Sequence, residues 1–102
     1  LAAWLSSGQA IRLIDVRTPL ESARGIIPGA ECLPLHLIPL RVDELRGHDR
    51  LIVYCQSGAR SAQARCFPVA RGRSGVYNLL GGIVAWASTG QALEVSGSAA
   101  AR

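Results

Sequence analysis

The residues with most to offer chemically form one contiguous run, Cys55-Gln56-Ser57-Gly58-Ala59-Arg60-Ser61. Cys55 is a thiol placed directly after the apolar run Leu51-Ile52-Val53-Tyr54, and a helical stretch follows Ser61. The six residues Gln56, Ser57, Gly58, Ala59, Arg60 and Ser61 include no proline, so each carries a backbone N–H donor. If the chain curls around Cys55, those donors point inward and make an anion nest, and the positive end of the following helix adds to the field. Gly58 gives the curl a residue that tolerates positive φ. Such surroundings favour the thiolate, which is the nucleophilic form of cysteine. They also bind an anionic group beside the sulfur, such as an oxygen of thiosulfate or the terminal sulfur of a persulfide.

Each candidate also has a plainer reading. Cys55 can be an inert core cysteine, although the glycine and the small residues after it argue against that. Arg60 can meet an anion at the loop mouth or simply be solvated at a helix start, and both readings stay open. Cys32 lies in a short apolar strand and Cys66 in the helix after the loop, so both are expected to be packing residues. His36 and His48 read as surface or cap residues, and nothing places either beside Cys55, which disfavours Cys–His acyl transfer. Cys32 and His36 have a spacing that suits zinc, but the rest of a ligand set is missing, so no metal or other cofactor is expected.

Composition narrows the classes further. All eleven basic residues are arginine, which excludes lysine Schiff-base chemistry. The formal charge of +4 favours anions modestly. The arginines are scattered and aromatics are few, so no nucleic-acid partner is expected. No apolar stretch approaches the roughly 20 residues that span a bilayer, and no membrane association is expected. Three cysteines, odd in number and widely spaced, do not make a disulfide framework. A reducing, cytoplasmic setting fits them. No secretory signal is visible, but the sequence contains no methionine. It is therefore read as a processed form or a fragment, and a periplasmic location stays open if an upstream signal is missing. A monomer or weak dimer is expected.

The elements around the loop follow from local signals. Leu1 to Leu5 reads as a short helix stopped by Gly8. Ile11 to Val16 is a β-branched run of strand length. Thr18-Pro19-Leu20-Glu21 combines a cap, a proline at the first helical position and a capping box. Gly25 is expected to end that helix. Ala30 to Leu33 reads as a second strand, Pro34 to Leu45 as a helix, and Leu51 to Tyr54 as a strand covered on both faces. Pro68 is expected to kink or break the next helix near Cys66 and Phe67. Val76 to Leu79 is a strand, Gly81-Gly82 a turn, and Ile83 opens a last helix ending near Gly90. Strands alternating with helices predict an α/β domain around a largely parallel sheet, with ligands bound beyond the carboxyl ends of its strands. One domain over residues 1–95 and a loose tail over 96–102 are expected.

At this point four motifs together resemble the rhodanese family. They are Leu13-Ile14-Asp15-Val16-Arg17-Thr18-Pro19, Gly25-Ile26-Ile27-Pro28-Gly29-Ala30, the loop from Cys55 to Ser61, and Asn78-Leu79-Leu80-Gly81-Gly82-Ile83-Val84-Ala85-Trp86. They occur in the family's order and cover almost the whole chain. The resemblance implies a three-layer α/β/α fold and a sulfurtransferase. Sulfane sulfur would pass from thiosulfate or a persulfide donor to a thiophilic acceptor, cyanide or a small-molecule or protein thiol, through a Cys55 persulfide. It implies that the loop amides bind the anion, and that Asp15 and Arg17 brace the site, a role for which a structural ion pair is the plain alternative. The chain departs from the family at Ile26, where histidine is common, and at Gln56, where thiosulfate-specialised loops carry a basic residue. A non-catalytic binding or regulatory module is the main alternative. Cysteine phosphatases and arsenate reductases are a further one, but their loops hold five residues between cysteine and arginine, and here there are four.

Overall fold

The computed structural model describes residues 1, 3, 10–47, 49–91 and 93. The expected helix over Leu1–Leu5, the tail over 96–102 and His48 fall wholly or mostly outside them. Four strands form one sheet among the described residues: β1 (Ile11–Asp15), β2 (Glu31–Cys32), β3 (Arg50–Tyr54) and β4 (Val76–Asn78). Their spatial order is β2-β1-β3-β4 and every pairing is parallel. Ile14 lies opposite Val53, and Val53 opposite Asn78.

Side chains alternate across this sheet, and both faces are covered. Ile14, Leu51, Val53 and Cys55 join Ile38, Leu45 and Ala64 in one apolar layer. Leu13, Ile52 and Tyr54 join Ile27 and Ile83 in the other. Helices therefore pack on both faces, which is the expected three-layer α/β/α arrangement. No described helix is long and apolar enough to cross a membrane.

The chain runs from β1 outward to β2, then returns past β1 to β3 and continues to β4. The order thus reverses between β1 and β3. In open parallel sheets the crevice at such a reversal, beyond the carboxyl ends of the strands, is where ligands bind. Asp15, Val16 and Arg17 leave β1 at that point, and Tyr54 and Cys55 leave β3.

The helices are α1 (Pro19–Ser22), α2 (Ile38–Arg41), α3 (Ala59–Ala70) and α4 (Gly82–Ser88). Helix α1 starts with the expected capping box: Thr18 Oγ1 accepts from the Glu21 amide, and Glu21 reaches back to the Thr18 amide. It stops at Ser22, before Gly25.

Three expectations need correction. The single helix over Pro34–Leu45 is instead a 3-10 turn (Leu35–Leu37), the short α2 and a second 3-10 turn (Val42–Leu45). Pro39 has no N–H for the Leu35 carbonyl, and Arg41 leaves helical geometry at φ −120° and ψ 18°. Pro68, conversely, does not break α3. It lies in the last turn, where a single carbonyl, that of Ala64, loses its helical donor, and its ring is fully buried. Cys32 and Cys66 are exposed rather than packed inside. Cys32 belongs to an edge strand of two residues, both exposed, and Cys66 lies on the outer face of α3 with its Sγ 3.5 Å from the Ala62 carbonyl.

Candidate active site

Strand β3 delivers Cys55 to the crevice, and the next residues turn back over it. The turn needs Gly58, whose φ of 114° would strain any other L-residue. Gly58 is also the N-cap of α3, a helix of twelve residues, so that helix begins over the sulfur. The Gly58 amide donates to Cys55 Sγ at 3.1 Å, and Ser61 Oγ lies 3.4 Å from the same sulfur. Cys55 is 1% exposed. Burial alone would push its thiol up. The Ser61 hydroxyl and the amides of Ser61, Gly58 and Ser57 outweigh it and bring the thiol below its ordinary value.

The other loop residues turn to different partners. Gln56 Oε1 accepts from Arg17 Nη1 at 3.4 Å. Ala59 opens α3. Arg60 fits neither reading its position allowed. Its guanidinium forms a two-pronged ion pair with Glu21 on α1, at 2.6 and 2.8 Å, and is about one-third exposed. That pair pulls the Glu21 carboxyl down to about 2.

Asp15 and Arg17 form a buried pair under the mouth of the loop. The Arg17 amide, Nε and Nη2 all donate to the Asp15 carboxylate, at 2.9, 3.0 and 2.8 Å. Ser22 Oγ donates to it at 3.1 Å, and Arg17 Nη2 also reaches the Gly25 carbonyl at 2.6 Å. The Arg17 guanidinium lies 5.9 Å from the Tyr54 ring centroid, and the Tyr54 oxygen accepts from the Ile27 amide at 3.1 Å. The pair therefore ties β1, α1 and the second motif together, and through Gln56 it reaches the loop.

Two residues enter the site that local sequence signals did not mark. Gly82 packs directly under the loop: the amides of Ile83 and Val84 donate to the carbonyls of Cys55 and Gln56, at 3.0 and 3.2 Å. Asn78, at the end of β4, donates from Nδ2 to the Gly58 carbonyl at 3.1 Å and accepts from Ser61 Oγ at 2.5 Å. The available signal was the glycine pair before a helix, which reads equally well as a plain turn. His36 lies instead in a groove with Cys66 and Phe67. A cleft of about 620 Å³ opens beside the loop between Arg17, Arg24, Gln56, Val84 and Leu93.

The arrangement surrounds the Cys55 sulfur with neutral donors that favour its thiolate, and a cleft lined by Arg17, Arg24 and Glu21 opens beside the loop. This geometry can be set beside known proteins. A family model described as a rhodanese-like domain matches residues 1–89. A protein named sulfurtransferase from Allochromatium vinosum is 46% identical over 90 residues, covering 88% of this chain and 84% of the other. Among solved structures, a rhodanese-related protein from Thermoplasma volcanium superposes with a TM-score of 0.82 at 26% identity, covering 92% of this chain and 93% of that one. A protein from Rhodopseudomonas palustris described as a possible tyrosine phosphatase also gives 0.82, at 25% identity, over 91% of this chain and 77% of its own.

Proposed function

The chain belongs to the rhodanese-like domain family, and from that premise we propose that it is a sulfurtransferase that carries sulfane sulfur on Cys55. Its family and its sulfurtransferase relative support a sulfur-transfer or sulfur-carrier role. The observation that carries the finer reading is the Gly58 amide 3.1 Å from Cys55 Sγ, with the Ser61 hydroxyl beside it. Neutral donors stabilise a thiolate without forming a fixed ion pair that would quench it.

In this reading the thiolate attacks the outer sulfur of a thiosulfate-like donor. An S–S bond forms to Cys55 Sγ, the donor's own S–S bond breaks, and sulfite departs with the electron pair. The negative charge then sits on the new terminal sulfur, about 2 Å further along the S–S bond. A thiophilic acceptor, cyanide or a thiolate, attacks that sulfur, and Cys55 leaves as thiolate. Because Cys55 is 1% exposed, the donor must present a narrow sulfur end at the loop mouth. The family reading extends to small anionic donors and to thiol or protein acceptors. Asp15 and Arg17 support the site through Gln56, without touching the reacting sulfur.

Phosphoryl chemistry is poorly served by the same loop. A phosphatase arginine must turn its guanidinium to the phosphate, whereas Arg60 is held by Glu21. An aryl phosphate should therefore not turn over.

The test is intact mass after incubation with thiosulfate and with persulfide donors. One added sulfur atom, removed by cyanide and absent in Cys55→Ser, is expected, with Cys32→Ser and Cys66→Ser behaving as wild type. A Cys55 left unmodified by every donor would refute the proposal.

A further inference from the structure

The Gly58 carbonyl oxygen receives two donors of fixed direction. One is the Ala62 amide at 3.1 Å, from the first turn of α3. The other is Asn78 Nδ2, also at 3.1 Å. They occupy both lone pairs of that oxygen. Ser61 Oγ is also within hydrogen-bond distance of that oxygen, at 3.2 Å, but there it must share lone pairs that two donors of fixed direction already use. The second bond also fixes the Asn78 amide: with Nδ2 turned to Gly58, Oδ1 faces Ser61. The buried Ser61 hydroxyl has one proton and two acceptors left for it, Asn78 Oδ1 at 2.5 Å and Cys55 Sγ at 3.4 Å.

We propose that Asn78 is a positioning residue that holds the Ser61 proton while Cys55 Sγ is uncharged and yields it to the sulfur when the thiolate forms. In the thiol, the Cys55 S–H donates to Ser61 Oγ, and Ser61 donates onward to Asn78 Oδ1. When the thiol proton leaves for solvent or a base in it, the Ser61 hydroxyl turns and donates to the sulfur. In the persulfide, Sγ is a neutral bridging atom, and the hydroxyl returns to Asn78. Ser61 keeps its own proton throughout. Asn78 therefore competes with the thiolate for one hydrogen bond and favours the sulfur-loaded state. That purpose rests on the sulfurtransferase reading, but the switch is a property of the thiol and can be measured without any donor.

Arg24 lines the cleft beside the loop. The charged groups packed against the loop itself are Arg60 from α3, Glu21 from α1, and Asp15 and Arg17 from β1 and the turn after it. All four are held in ion pairs with one another that do not involve Asn78.

The experiment titrates the thiolate by its near-ultraviolet absorbance in the full chain carrying Cys32→Ser and Cys66→Ser, so that Cys55 is the only thiol. Asn78→Ala should lower the apparent pKa by about one unit, a tenfold gain in thiolate at a given pH. In a Ser61→Ala background the same change should leave it where it was. A rise on Asn78→Ala would mean that Asn78 only anchors the loop, and an equal shift in both backgrounds would mean that Ser61 carries no switch. Either result overturns the proposal. Asn78→Asp keeps the size and the acceptor for Ser61, though not the Nδ2 bond to Gly58, should the alanine variant fail to fold. It should raise the pKa, and by more with Ser61 present than with alanine; an equal rise would also overturn it. A protein that titrates as expected but takes up no sulfur would refute the proposed function and leave the switch standing.

Discussion

Gly82 lies so close to the Cys55 loop that a β-carbon on it would stand 2.4 Å from the carbonyl oxygen of Cys55. The same β-carbon would meet the Gln56 carbonyl oxygen at 2.5 Å. Both obstacles are backbone atoms and cannot swing aside. The absence of a side chain lets α4 begin against the Cys55–Gln56 peptide, where the Ile83 and Val84 amides satisfy its carbonyls. The far strand-to-helix turn is thus part of what holds the loop.

Gly82→Ala should accordingly destabilise the fold by about 2–4 kcal/mol, combining backbone overlap with the strain of a φ near +59°. Gly90→Ala is the control. It also has positive φ, but nothing lies within 4 Å of its new β-carbon, so it should cost only about 1 kcal/mol. Urea unfolding of the two variants gives the comparison. Equal losses would show that the contact with Cys55 adds nothing to the strain.

What could be read from the chain, and what could not, divides by sequence distance. The β-branched runs of β1 and β3, the capping box at Thr18–Glu21 and the glycine at 58 are local signals, and the structure follows them. The partners of Arg60, Ser61 and Gly82 lie 17 to 39 positions away in sequence or across a tertiary contact, so no spacing rule reaches them. Arg60 illustrates the gap: its place at a helix start suggested solvent or an anion, and Glu21, itself read correctly as a capping residue, turned out to hold it. The exposure of Cys32 is not legible locally, because a two-residue edge strand is too short to show which side faces out. The effect of Pro68 depends on how near the helix end it falls, and that end is set by packing.

The donors around Cys55 set a direction for pH dependence. They favour the thiolate, so the rate of sulfur uptake should rise with pH and level off below the ordinary thiol range of about 8.5. Ser61→Ala removes one donor and should move that midpoint up by about half a unit to one unit. Stopped-flow measurement of persulfide formation across pH tests this. A midpoint that stays in place would show that the amides of Ser57, Gly58 and Ser61 suffice.

Arg17→Met should be far more damaging than a surface arginine change. It leaves the Asp15 carboxylate fully buried with only the Ser22 and Tyr54 hydroxyls and the residue 17 amide among its present donors. Breaking a buried pair from one side costs roughly 3–5 kcal/mol. Asp15→Asn added to Arg17→Met should recover part of the loss at neutral pH. Thermal unfolding of the two variants decides the matter, and a double variant no more stable than Arg17→Met would rule out an uncompensated charge as the cause.

The Glu21–Arg60 pair makes a linked prediction for stability and for donor binding. Glu21 titrates at about 2 in the folded chain against 4.5 for a free carboxyl. Its folded value is depressed, so its contribution is complete above about pH 4.5 and disappears as pH falls toward about 2. Both side chains are about one-third exposed, and solvent screening reduces the stabilisation to about 1 kcal/mol. Glu21→Gln should therefore be less stable than wild type by about that amount at about pH 6, with the gap closing near about pH 2. The same substitution leaves the Arg60 guanidinium uncommitted at the rim of the loop. Released from Glu21, it adds positive charge beside the mouth, and the KM for thiosulfate should fall about 2–5-fold while kcat changes little. If KM is unmoved while stability drops as expected, Arg60 braces α1 against α3 and has no reach toward the anion.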